Sequence, residues 1–148
     1  MRIVLSQHHL SIEPSDEWIA DEMKPETVDT FGVYLQSKEH GVYLNVRGQT
    51  AGDHPLNAEG LVALLREQGW ASPPSPPFDE WTVTAGSLTV VGGTFETTGM
   101  GGEVVLEVFA SDGRSVANLA GPGERAAIAA VIPAVQRLVS TLRFEDVR

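Results

Sequence analysis

The chain has 148 residues, of which 20 are acidic, 10 are basic and none is cysteine. One domain of this length hides ~70% of its unfolded surface, enough for an ordinary core, while the missing thiols exclude disulfides, thiolate nucleophiles and cysteine-type zinc sites. A net charge of −10 repels phosphate backbones and anionic lipid, so nucleic acid and membranes are not expected partners, whereas a basic protein is.

The first residues, MRIVLSQHHLSIEPSDEW, suit a pair of short strands. Their apolar run stops after Leu5, well short of a signal-peptide core, and no later stretch approaches a membrane span, so a cytoplasmic location is expected. His8 and His9 are neighbours on a strand and point to opposite faces, with no further His or Cys close in sequence, so no metal site is expected. His40 and His54 fall in loops and read as solvated. Residues 13–29 carry seven carboxylates against Lys24 alone, a local charge of −6. Such a run is ordinarily a solvated loop, but its concentration makes Asp16, Glu17, Asp21 and Glu22 candidates for contacting a basic partner.

FGVYLQSKEHGVYLNVRG, residues 31–48, repeats the letters GVYL. With Ser37 to His40 as the turn, Leu35 faces Val42, Tyr34 faces Tyr43 and Val33 faces Leu44, and Phe31, Val33, Leu35, Val42, Leu44 and Val46 collect on one face. A slip by one residue buries Asn45 and Arg47, whose desolvation is costly, so the echo is the pairing pattern of a hairpin. Asn57 then caps a short helix with Leu61, Leu64 and Leu65 at helical spacing and Gly69 as its stop. Ser72 to Phe78, with four prolines in five residues, is a stiff extended connection. Trp70, Phe78 and Trp81 bracket it; they read as a plug at the end of a sandwich or as anchors of an interface.

Strands follow at Trp81 to Thr84, Ser87 to Val91 and through EVVLEVFA, which turns at Asp112-Gly113 into RSVANLA. A two-residue turn there pairs Ser111 with Arg114 and places Val104, Leu106, Val108, Ala110, Ala117 and Leu119 together. Val105, Phe109 and Val116 on the other face call for partial cover as well. GGTFETTGMGG lacks the lysine and following helix of a phosphate cradle, and Glu96 and Glu103 repel phosphate, so its glycines read as bulge and turn residues and no cofactor is expected. GPGER reads as the approach to a last helix, with Glu124 at its positive end. That helix carries Ile128, Val131, Ile132, Val135, Leu138, Val139 and Leu142 as one apolar stripe, with Pro133 on the opposite side beside Arg137.

This order of elements resembles the PsbP-like family, an α/β/α sandwich shared by a photosystem extrinsic protein, the nuclear import factor that binds the Ran GTPase, bacterial lipoproteins and small cytoplasmic proteins encoded near secreted toxins. The residues that carry the likeness are Leu10, Ile12, Pro14 and Trp18, then Gly92 and Gly93 before Phe95, then Ser140, Leu142 and Phe144. With no cysteine in the sequence, the lipoprotein branch is not expected. The resemblance implies one α+β domain, a largely antiparallel sheet of six to seven strands flanked by helices, and a binding function. No Ser, His and carboxylate trio stands in a recognisable catalytic context, so no catalytic residue is expected. The leading expectation is a non-catalytic protein-binding module, an immunity protein or secretion chaperone that engages a basic toxin or effector. The alternatives are a small hydrolase or ligand-binding protein with a pocket between sheet and helix, and a self-associating structural protein.

Overall fold

The structure is a computed structural model that describes residues 2–21, 31–68, 75–97 and 103–145. Its elements are β1 (Ile3–Leu5), a 3-10 turn (Ser6–His8), β2 (Leu10–Ile12), β3 (Trp18–Ala20), β4 (Val33–Ser37), β5 (Tyr43–Gln49), α1 (Ala58–Arg66), β6 (Phe78–Ala85), β7 (Leu88–Glu96), β8 (Glu103–Ser111), β9 (Val116–Glu124), α2 (Arg125–Val139) and β10 (Arg143–Phe144). Seven strands form one sheet in the order β3-β4-β5-β9-β8-β7-β6, with every neighbour antiparallel, and β1-β2-β10 form a second, smaller sheet. The fold is therefore α+β with helices on both faces of a largely antiparallel sheet.

Alternation along the strands divides the apolar residues between two cores. Val104, Leu106, Val108 and Ala110 of β8 pack with Leu35, Leu44, Val46, Ala117 and Leu119 against α2 and the small sheet, whose Leu5, Leu10 and Ile12 are fully buried. The other face of β8 and β9 gives Phe109 and Val116 to a smaller core beneath α1, with Leu61, Leu64, Leu65, Val91 and Phe95. The partial cover expected for that face is thus supplied by the short helix. Asn57 caps α1 as expected, its Oδ1 accepting the Gly60 N–H at 2.9 Å. In α2 the stripe from Ile128 to Val139 is buried, except that Ile132 is only half-buried, and Pro133 lies exposed without interrupting the helix.

Several expectations are corrected. The β4–β5 register sets Leu35 against Leu44, Tyr34 against Asn45 and Gln36 against Tyr43. It lies two residues from the expected pairing, because Gly41 has φ +68° and belongs to the loop rather than to the strand. A shift of two preserves which residues share a face. Phe31, expected on the core face, is 63% exposed, since it precedes Gly32 and lies outside the ladder. The Asp112-Gly113 turn is a four-residue loop between Ser111 and Val116. Asp112 Oδ1 accepts the N–H groups of Arg114 and Ser115 at 2.9 Å each, which closes the longer loop and again preserves the faces.

Gly92 and Gly93 are neither bulge nor turn: both sit inside β7, and the irregularity falls on β6 between Phe78 and Trp81, where Asp79 has φ +51°. Gly92 is glycine because the Trp81 ring lies over it; a Cβ there would come within 2.2 Å of Trp81 Cζ2. Gly121 to Gly123 likewise continue β9 up to the N-cap of α2 instead of forming a loop. The stop at Gly69 and much of the proline-rich connection lie outside the described residues, as do Glu22 and Trp70.

Candidate binding surface

The α1 face of the large sheet is built in rows. Gly93, Glu107, Ala120, Asn45 and Tyr34 pair in turn across β7, β8, β9, β5 and β4, and the adjacent row runs Val91, Phe109, Asn118 and Arg47. Helix α1 packs on Val91, Phe95, Phe109 and Val116, towards β7 and β8. Beyond it, a groove of about 410 Å³ is lined by Tyr34, Asn45, Arg47, Thr97, Val105, Glu107, Asn118, Ala120, Gly121 and Pro122. The small side chain of Ala120 leaves the hollow open, and Val105, Pro122 and the Tyr34 ring make its walls apolar.

Glu107 is the exceptional residue of this groove. It is 3% exposed, with a glycine on one flanking strand and an alanine on the other. Asn118, also buried, donates from Nδ2 to Glu107 Oε2 at 3.1 Å and to the Val108 carbonyl at 3.2 Å, while Arg47 Nε donates to Asn118 Oδ1 at 3.4 Å. Burial pushes the Glu107 carboxyl up to about 7, against the opposing pull of the Asn118 hydrogen bond and the Arg47 charge. Among the described residues no cation forms an ion pair with it.

Next to the groove the same face is unusually apolar for an exposed surface. Ile19 pairs with Gln36, Gln36 pairs with Tyr43, and Tyr34 stands two residues from Gln36, so Ile19, Tyr34 and Tyr43 share one face of β3, β4 and β5. They are 47%, 40% and 44% exposed. Phe31 adjoins them, its carbonyl accepting from Asn45 Nδ2 at 3.1 Å. Contiguous exposed apolar side chains of this kind mark contact surfaces.

The acidic candidates divide. Asp21 borders the patch, its N–H donating to the Tyr34 carbonyl at 3.0 Å, and Asp16 is exposed. Glu17 is held by Arg137 of α2, with Arg137 Nε 3.1 Å from Glu17 Oε2, and that hydrogen bond with the arginine charge lowers its carboxyl below the usual range. It is a strut to the opposite face rather than a free charge. Phe78 and Trp81 stand on β6 at the far edge of the sheet and pack against the main core, with the Arg125 guanidinium 4.5 Å from the Phe78 ring centre. The structure does not bring them together with the acids.

Among the described residues no group of three or more His, Cys, Asp or Glu is arranged to hold a metal. His8 Nδ1 accepts the Gly48 N–H at 2.9 Å, and His54, expected in solvent, has Nε2 2.9 Å from Glu67 Oε2. Neither Glu107 nor the exposed patch was singled out by sequence reasoning. The available signal was alternation, which puts Glu107 between Val105 and Phe109 on the same face.

The sequence matches no known protein family and no curated protein. The solution structure of cyanobacterial PsbP (CyanoP) from Synechocystis sp. PCC 6803 is similar, with a TM-score of 0.57 and 9% identity over 97% of this chain and 91% of that one. The chain has the PsbP-like fold. At that identity the likeness speaks of the fold alone, and the binding surface rests on this chain's own residues. On this PsbP-like scaffold the groove and the exposed patch share the sheet face that carries α1, opposite α2 and the small sheet. No helix among the described residues is long and apolar enough to cross a membrane.

Proposed function

We propose that this is a non-catalytic cytoplasmic protein that binds another protein through the β3–β4–β5 end of its large sheet. The observation that carries this reading is the shared exposure of Ile19, Tyr34 and Tyr43 on one face, continuous with the groove at Tyr34. Apolar and aromatic side chains bordered by an acid such as Asp21 form the kind of surface that supplies both contact area and charge selection. The net charge of −10 makes a basic partner the better fit. A toxin or effector that the protein neutralises or escorts is the partner class supported by that charge together with the resemblance to small toxin-associated proteins.

The test is capture of partners from the native cytoplasm by the wild-type chain and by Tyr34→Ala and Ala120→Phe variants, with mass spectrometry identifying what is held. The reading expects a basic protein that the wild type retains and both variants lose. Retention by both variants at wild-type affinity would move the interface elsewhere.

A further inference from the structure

A carboxyl that is buried but lines an open groove is costly in its ionised form unless a cation reaches it. Glu107 is in that position: it is 3% exposed, lines the groove, and accepts one hydrogen bond among the described residues, from Asn118. Among the described residues, the one cation lining the groove, Arg47, acts on the carboxyl from a distance and offsets only part of the cost of its burial. Arg47 of β5 is exposed and is turned to Asn118 Oδ1. On the other side Gly93 of β7 has no side chain, and beyond it Glu80 of β6 is already joined to Arg66 of α1 at 2.8 and 2.9 Å. Beside Glu107, Ala120 on β9 and the next row of Val105 and Pro122 give the groove an apolar strip suited to an alkyl stem, while Asn45 separates Ala120 from Tyr34.

We infer that the groove seats a lysine or arginine side chain of the protein partner, with its stem along Ala120, Pro122 and Val105 and its cationic head at the Glu107 carboxylate. This inference rests on the binding surface proposed above and names the chemistry that the groove selects. Charge complementarity argues for it at two scales, the carboxyl within the groove and the −10 of the whole chain. The step is a balanced exchange: the protonated Glu107 carboxyl releases its proton to solvent as the cation arrives, and an ion pair replaces a neutral acid. Binding therefore strengthens as pH rises through about 7, where burial holds the free carboxyl.

The test uses n-butylguanidinium and n-butylammonium as probes of a partner's side chain, with n-butanol and butyrate as neutral and anionic controls. The readouts are the carbon-13 shift of the Glu107 carboxyl and the backbone amide shifts of Asn45 and Ala120. The inference expects saturable binding of the cations, roughly tenfold tighter at pH 8.5 than at pH 5.5, with the Glu107 midpoint lowered by about one unit at saturation, the lower end of what an adjacent opposite charge produces. Glu107→Gln, which is isosteric with the protonated acid and keeps an acceptor for Asn118, should fold and lose both the cation preference and its pH dependence. Equal shifts with butanol, a preference for butyrate, cation binding that ignores pH, or no perturbation by any probe would each overturn it. Those outcomes leave the protein-binding reading standing if Tyr34→Ala and Ala120→Phe still lose the partner; if the two variants keep it, the binding surface itself is wrong.

Discussion

Asn118 stands diagonally across β9 from Glu107 on β8, and its Nδ2 donates to Glu107 Oε2 at 3.1 Å with both side chains buried. A neutral amide stabilises the carboxylate but does not cancel its charge, so desolvation dominates and the carboxyl titrates near 7 instead of at its ordinary 4.5.

Stability should follow that shift. A carboxyl whose value is higher in the folded than in the unfolded state is harmless below the unfolded value and penalises folding increasingly as pH rises towards the folded one. Between pH 4.5 and pH 8 the Glu107 penalty should grow from near zero to about 3 kcal/mol, taking 1.36 kcal/mol per unit. Denaturant titrations of wild type and Glu107→Gln across that range isolate it, because other groups cancel in the difference. The variant should gain on the wild type as pH rises, and a difference independent of pH would mean that Glu107 is not desolvated.

Trp81 and Gly92 make a second checkable pair. Since a Cβ on Gly92 would lie 2.2 Å from the indole, Gly92→Ala must displace a ring that packs against the main core. The expected loss is ~1–3 kcal/mol, typical of overpacking, measured as a change in denaturation midpoint. A turn or bulge glycine at this position would leave the Trp81 fluorescence spectrum unchanged, whereas displacement of the ring should shift it.

The β4–β5 register is tested by mutating its core and its loop separately. Leu44→Ala empties a fully buried site opposite Leu35 and should cost ~2–5 kcal/mol. Tyr43→Ala, on the exposed face, should cost far less. Gly41→Ala meets no neighbour within 4 Å, so any loss comes from backbone strain at φ +68°, about 1–2 kcal/mol. A Gly41→Ala variant as stable as wild type would return Gly41 to the strand.

The faces of these hairpins were legible in the sequence because strand periodicity is two and both register errors were by two residues. Loop lengths were not legible, since they were decided by the left-handed conformation at Gly41 and by the Asp112 side chain accepting two N–H groups. The main core and the helix cap at Asn57 followed directly from spacing. Glu107 was visible in its alternation with Val105 and Phe109, but parity cannot say how far along a face a nine-residue helix such as α1 reaches. The exposed patch depends on Ile19 of β3 being brought beside β4, a contact that strand order alone determines.

The acidic stretch can now be divided by role. Asp16 and Asp21 are exposed and Asp21 borders Tyr34, whereas Glu17 is bound to Arg137 and contributes little outward field. Charges of this kind act over ~8 Å at physiological salt, so they influence encounter more than residence. Asp16→Asn with Asp21→Asn should slow association with the captured partner and flatten its dependence on ionic strength, leaving dissociation nearly unchanged. Glu17→Gln should instead leave the association rate alone and lower the melting temperature slightly, an effect that fades as acid protonates Glu17 and the Arg137 pair is lost in the wild type too. Stopped-flow association at low and high salt, run beside thermal melts, separates the two roles. If the double aspartate variant associates at the wild-type rate at low salt, these carboxylates are solvated bystanders and the apolar patch acts without electrostatic steering.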